Sequence, residues 1–163
     1  MTQSRIENRT RSHRAPPSLH HPAGAGGCHR VLLAASDTAM REFLALTFQR
    51  QGHTVCDAAN GFDALAMLLY EAVPAPDSVR PRFDMVVVSE PLPGVTGLEI
   101  LEYLRFHDRD LSVILITEPD DAAAREQARR LGATAVLARP FSLTDLLLLL
   151  EESSPCPKPA PTW

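Results

Sequence analysis

Met85-Val86-Val87-Val88-Ser89-Glu90-Pro91-Leu92-Pro93-Gly94-Val95-Thr96-Gly97-Leu98-Glu99 is the stretch on which the fold turns. Its first four residues are an uninterrupted apolar run. Such a run suits a strand covered on both faces, as in a parallel sheet. Leu-Pro-Gly-x-x-Gly follows it. Thr96 or a neighbour then opens a helix whose stripe is Ile100, Leu101 and Leu104. Outward from this unit the pattern repeats. Apolar runs also stand at Val31–Ala35, Thr54–Ala58, Val113–Ile116 and Ala135–Ala138. Asp37 is expected to cap a helix with Met40, Phe43, Leu44 and Thr47 inward, stopping near Gly52. Asn60 caps one with Phe62, Leu65, Leu69 and Ala72 on a single face. Asp120 or Asp121 opens a helix with Ala124, Ala128 and Leu131 inward, Gly132 at its stop, and Glu126 and Arg130 paired i,i+4 outside. Ser142 and Asp145 form a capping-box pattern ahead of Leu146–Leu150.

Strand and helix alternate five times, which predicts an α/β fold, a doubly wound (βα)5 parallel sheet with right-handed crossovers. The working crevice of such a sheet lies outside the carboxyl ends of its strands. The residues there are Ala35, Ser36 and Asp37, then Ser89 and Glu90, then Thr117 and Glu118, then Arg139, Pro140 and Phe141. No glycine-rich phosphate loop follows any strand, which disfavours the common nucleotide folds.

The domain is expected to span residues 30–152. Of the 163 residues, 45% are apolar and 22% charged, as in an ordinary globular protein. Residues 1–30 carry five arginines against one acid, while the remainder carries 11 basic and 19 acidic residues. Residues 1–29, rich in Pro, Gly and His, read as a disordered basic arm, either a solvated tail or an electrostatic tether. Residues 153–163, with four prolines and Trp163, read as a Pro-rich disordered tail. The Val73–Arg82 connection, with three prolines, reads as a tolerated insertion or a binding loop. A net charge of −4 argues against a general nucleic-acid binder. No run reaches membrane-span length, and Met1 to Asn8 lacks a signal peptide's apolar stretch. Cys28, Cys56 and Cys156 have no metal-ligand spacing and fit free thiols in a reducing, cytoplasmic compartment.

Taken together, Val31 to Asp37, Ala58-Ala59-Asn60-Gly61, Leu92-Pro93-Gly94-Val95-Thr96-Gly97-Leu98-Glu99, Ile116-Thr117 and Arg139-Pro140-Phe141-Ser142 resemble the receiver domains of bacterial two-component response regulators. The resemblance covers essentially all of 30–152 and implies the flavodoxin-like strand order 2-1-3-4-5. In an active receiver it implies a phosphoacceptor aspartate after strand three, an acidic pair that helps hold Mg²⁺ after strand one, and a hydroxyl and a lysine that bind phosphoryl oxygens. It also implies a cis bond at Arg139–Pro140.

This chain departs where that chemistry is done. The phosphoacceptor position matches Ser89, the acidic pair matches Ala35 and Ser36, the lysine matches Arg139, and the aromatic that couples to the threonine matches Val136. Only Thr117 keeps the pattern. A serine hydroxyl is a poor nucleophile without a base. Mg²⁺ demands hard oxygen ligands and dehydrates reluctantly, so its binding is expected to be weak or absent. Asp37 has two readings, helix cap or metal ligand, and Glu90 and Asp37 together offer one way to rebuild a metal site. Thr117 either satisfies strand-end backbone groups or binds an anion. Arg139, without its carboxylate cluster, is expected to swing to solvent or pair with Glu90, Asp37 or Glu118.

The reading is therefore a degenerate, stand-alone receiver-like domain that is not an enzyme and works by protein contact. The 120–152 face, with leucine at 143 and 146–150, is the expected surface for a histidine kinase, another signalling protein or a second copy. Two alternatives stay open. One is a phosphoacceptor receiver with atypical residues. The other is a sensor that holds a small anion on Arg139, Thr117 and Ser89.

Overall fold

A computed structural model of the chain describes residues 29–72 and 83–153. The arm, the Val73–Arg82 connection and most of the tail lie outside the described residues. Among the described residues ten elements alternate: β1 (Arg30–Ala34), α1 (Thr38–Arg50), β2 (Thr54–Ala58), α2 (Gly61–Ala72), β3 (Met85–Glu90), α3 (Gly97–His107), β4 (Ser112–Thr117), α4 (Ala122–Leu131), β5 (Ala135–Ala138) and α5 (Leu143–Glu152). All strand pairs are parallel, in the order β2-β1-β3-β4-β5. This is the predicted doubly wound sheet.

Each strand alternates its side chains between two cores. Val31, Leu33, Met85, Val87, Ile114 and Ile116 meet Leu44 and Phe48 of α1 and Leu146 and Leu150 of α5. Leu32, Ala34, Val86, Val88, Val113 and Leu115 meet α2, α3 and α4 through Ala64, Leu68, Ile100, Leu101, Leu104 and Ala128. The two-sided burial explains why the strands read as continuous apolar runs.

The caps fall where the sequence puts them. Asp37 Oδ1 accepts from Met40 N at 2.8 Å, Asn60 Oδ1 from Asp63 N at 2.9 Å and Asp121 Oδ1 from Ala124 N at 2.9 Å. Thr96 and Glu99 form a reciprocal capping box. Ser142 Oγ accepts from Asp145 N at 3.4 Å. Glu126 and Arg130 pair at 3.1 Å.

Two helical faces differ from expectation. Phe43 is 56% exposed and Phe48 fills its place inside, while Thr47 bonds back to Phe43 O of its own helix. In α2, Phe62 and Leu69 are exposed and Ala64 and Leu68 are buried. Both helices carry more apolar residues than one face can hold, so periodicity alone left their rotation open by about one residue. In α5, Leu146 and Leu150 are buried and Leu148 is half exposed. No helix among the described residues is long and apolar enough to cross a membrane.

Candidate functional site: the carboxyl edge of the sheet

Strand register brings the predicted crevice residues onto one edge. Ser89 stands opposite Ile116 and Glu90 opposite Thr117, so β3 runs two residues further than its apolar run. Thr117 stands opposite Ala138, and Arg139 N donates to Thr117 O at 2.9 Å. Ala35 closes β1, its N–H on Ala58 O at 3.0 Å. Ala35, Ser89 and Thr117 are buried, whereas Ser36, Asp37 and Pro140 are exposed. The Arg139–Pro140 bond is cis, as is Glu90–Pro91, which the sequence reading did not anticipate.

The glycines of the β3–α3 loop answer to close packing. A Cβ on Gly97 would sit 2.8 Å from Ser89 O and 3.1 Å from Glu90 Oε2. Glycine there lets the start of α3 lie directly on the end of β3. A Cβ on Gly61 would collide with Val95 O, and Gly61 N donates to Pro93 O at 2.9 Å, which holds α2 against the same loop.

The acids of this edge are turned to helix ends. Asp37 serves as the α1 cap. Glu90 Oε2 accepts from Leu98 N at 3.2 Å in the first turn of α3. Burial raises the Glu90 pKa, and the backbone N–H groups of Leu98 and Gly97 pull only partly against it. The two carboxylates are thus each engaged by a different helix N-terminus. With Ala35, Ser36 and Ser89 supplying no carboxylate, the donor set does not fit Mg²⁺. Among the described residues no cluster of three His, Cys, Asp or Glu side chains could hold a metal.

Arg139 takes one of its expected partners: its Nη1 meets Glu118 Oε1 at 3.2 Å. Its Nε is buried without a hydrogen-bond partner, and so are Ser89 Oγ and Thr117 Oγ1. That corrects the structural reading of Thr117. The ladder and Arg139 N already engage the strand end, and the hydroxyl bonds none of it. Arg41 escaped the sequence reading. Its Nη1 donates to Ala35 O at 2.7 Å and its Nε pairs with Asp57 Oδ2 at 3.1 Å, so a guanidinium stands at the end of β1. The available signal was an arginine one turn into the first helix of a crevice stripped of acids.

Comparisons with known proteins bear on the family and the fold. A family model described as the response regulator receiver domain matches residues 31–151. The chain is 29% identical over 145 residues to the alkaline phosphatase synthesis transcriptional regulatory protein SphR of Synechococcus elongatus, covering 85% of this chain and 56% of that protein. It is 27% identical to sporulation initiation phosphotransferase F of Bacillus subtilis, covering 72% of this chain and 86% of that one. A putative response regulator from Chloroflexus aurantiacus superposes with a TM-score of 0.65 at 26% identity, covering 78% of this chain and 98% of that one. The chain spans about half the length of the transcriptional regulators it matches.

Proposed function

This chain belongs to the response regulator receiver domain family, and on that premise we propose that it signals through protein contact without accepting a phosphoryl group. Receivers are signalling domains of two-component systems. The observation that carries the proposal is the buried Ser89 hydroxyl at the phosphoacceptor position, which has no base in hydrogen-bond contact. An oxygen nucleophile of that kind needs a neighbouring base to lose its proton. His29 and His53, which stack on each other, stand by the opposite edge, where Thr54 N bonds His29 O at the start of β2. The rest of the site supports the same reading, since Asp37 and Glu90 are engaged by helix N-termini and Arg139 by Glu118.

The contact surface we assign is the 120–152 face, made by α4, β5 and α5. It carries the exposed Leu148 on α5 and the exposed Arg129 and Arg130 on α4. A signalling protein is the expected partner.

The test is incubation of the full chain with acetyl phosphate and Mg²⁺, or with beryllofluoride and Mg²⁺. The expected outcome is an unchanged intact mass and an unchanged spectrum. A phosphoryl mass gain that disappears in Ser89→Ala would establish a working phosphoacceptor and end the proposal.

A further inference from the structure

Phe43 and Leu46 stand three residues apart on α1 and are each 56% exposed. Residues at that spacing are neighbours on a helix surface, so the two make one apolar patch. Its direction follows from Arg41, whose Nε meets Asp57 Oδ2 of the edge strand β2 at 3.1 Å. Phe43 is two residues on, about 200° round the helix, and so looks away from β2, toward α5. That helix covers the same face of the sheet through Leu146 and Leu150. Its flank toward α1 is marked by Glu151, whose charge acts on His53 just ahead of β2. Leu147, one turn before Glu151, shares that flank and is partly buried, and Leu148 beside it is exposed. The gap between α1 and α5 therefore has apolar side chains on both sides.

The course of the chain selects the occupant. Both helices follow the carboxyl end of a strand and run back to the amino edge. Ser153, whose N–H bonds Leu149 O at 3.1 Å, thus leaves α5 at the amino end of the gap. Residues 154–163 continue from there with Pro155, Pro157, Pro159 and Pro161. Proline fixes φ near the polyproline II value, and ten residues in that form reach about 31 Å. Phe43 lies seven residues before Arg50, the last residue of α1, which is about 10 Å back along its axis. The segment reaches the patch with length left to turn round.

Its chemistry fits as well. Pro-rich segments dock in apolar, aromatic-lined grooves at low entropic cost. Trp163, the one tryptophan of the chain, adds a large flat apolar surface. Residues 1–28 and 73–82, also outside the described residues, contain no Phe, Tyr or Trp. A second copy fits poorly. Phe43, Leu46 and Leu148 are the large exposed apolar groups of these two helices, and three partly covered side chains fall well short of the ~800 Å² per partner of a stable interface.

We propose that the Pro-rich tail, residues 154–163, folds back along the gap between α1 and α5 and seats Trp163 against Phe43 and Leu46. The tether sets an effective concentration in roughly the millimolar range, so a contact too weak to hold a separate peptide suffices. A docked tail also passes Leu148 and masks part of the surface assigned to a partner. That consequence rests on the proposed function, whereas the docking itself does not.

The experiment is Trp163 fluorescence with acrylamide quenching on the full chain, referred to the same chain unfolded in urea. The docked ring emits to the blue of the reference and is quenched more slowly. Phe43→Ser, a change at an exposed side chain, lowers the ratio of docked to released tail about tenfold and moves both signals toward the reference. Leu46→Ser moves them in the same direction by less. Phe106→Ser, at an 84% exposed side chain on α3 across the sheet, moves neither. Wild-type signals equal to the reference would overturn the proposal, as would signals unchanged in Phe43→Ser or equally changed in Phe106→Ser. Should Phe43→Ser fail to fold, unchanged signals in Leu46→Ser overturn it equally. A blue shift lost on dilution, together with a halved mass in light scattering, would seat Trp163 on a second copy and overturn it too. A phosphoryl mass gain from acetyl phosphate is a separate readout that defeats the proposed function and leaves the docked tail standing.

Discussion

The two edges of the sheet differ in how completely their buried polar groups are bonded. At the amino edge they are engaged. Arg105 Nε donates to Gly132 O at 2.7 Å, and its Nη1 donates to Leu111 O at 2.8 Å and Asp108 O at 3.3 Å. Arg30 N donates to Asp84 Oδ2 at 2.7 Å, and the Arg30 guanidinium lies 4.7 Å from the Phe83 ring centroid. Thr134 Oγ1 accepts from Val113 N at 3.0 Å. At the carboxyl edge, three buried polar atoms bond nothing. Polar groups at the first edge fasten loops to the sheet. At the second they cost stability, a pattern found where structure has been traded for binding.

The contrast breaks most visibly at Arg105. One guanidinium ties the end of α3 to the α3–β4 turn and to the stop of α4. Arg105→Ala strands three carbonyls at once and is expected to cost about 2–3 kcal/mol in urea unfolding. A loss within 0.5 kcal/mol would mean that water replaces the arginine and that the amino edge is not organised by it.

Substitution at the other edge has the opposite sign. Thr117→Val keeps the volume and removes an unpaired buried hydroxyl. It is expected to stabilise the fold by about 1 kcal/mol, and Ser89→Ala by somewhat less, read by urea unfolding. Destabilisation would show that these oxygens are already satisfied in solution and would erase the difference between the edges.

The same division governs what the sequence reveals. Strand runs, caps and the order of elements were legible because each is local: an apolar run of four, a Thr96 with Glu99 three residues on, an Asp37 ahead of Met40. The identities of the crevice residues were equally legible. Their orientations were not. Whether Glu90 faces a metal or a helix depends on Gly97 admitting its carboxylate to the first turn of α3. Arg41 was invisible because its partners are a backbone carbonyl and Asp57 on another strand. The rotations of α1 and α2 were missed because Phe43 and Phe62 look like core residues in any helical projection, and only packing against the sheet selects Phe48, Ala64 and Leu68 instead.

The smallest expected effect belongs to the amino edge and reads out in pH. His29 N donates to His53 Nδ1 at 3.2 Å, and the two rings stack with centroids 5.2 Å apart. Protonation of His53 at Nδ1 removes the acceptor and puts charge beside His29. Burial, followed by the charge of His29, lowers the His53 pKa, while Glu151 at the end of α5 opposes both. A lowered folded-state pKa means that the unfolded chain takes up the proton first. The contribution of His53 is therefore whole above the unfolded value of 6.5 and declines as pH falls from there toward the folded value. The slope stays below the one-proton limit of about 1.4 kcal/mol per pH unit, since Glu151 and partial exposure soften it. Thermal melts of wild type and His53→Gln between pH 7.5 and 5.5 (about one unit either side of an ordinary histidine) isolate the term. The glutamine oxygen can accept from His29 N without titrating, so the variant's melting temperature should fall less steeply with acid. Parallel curves would assign the acid sensitivity to other groups and leave the stacked pair as packing alone.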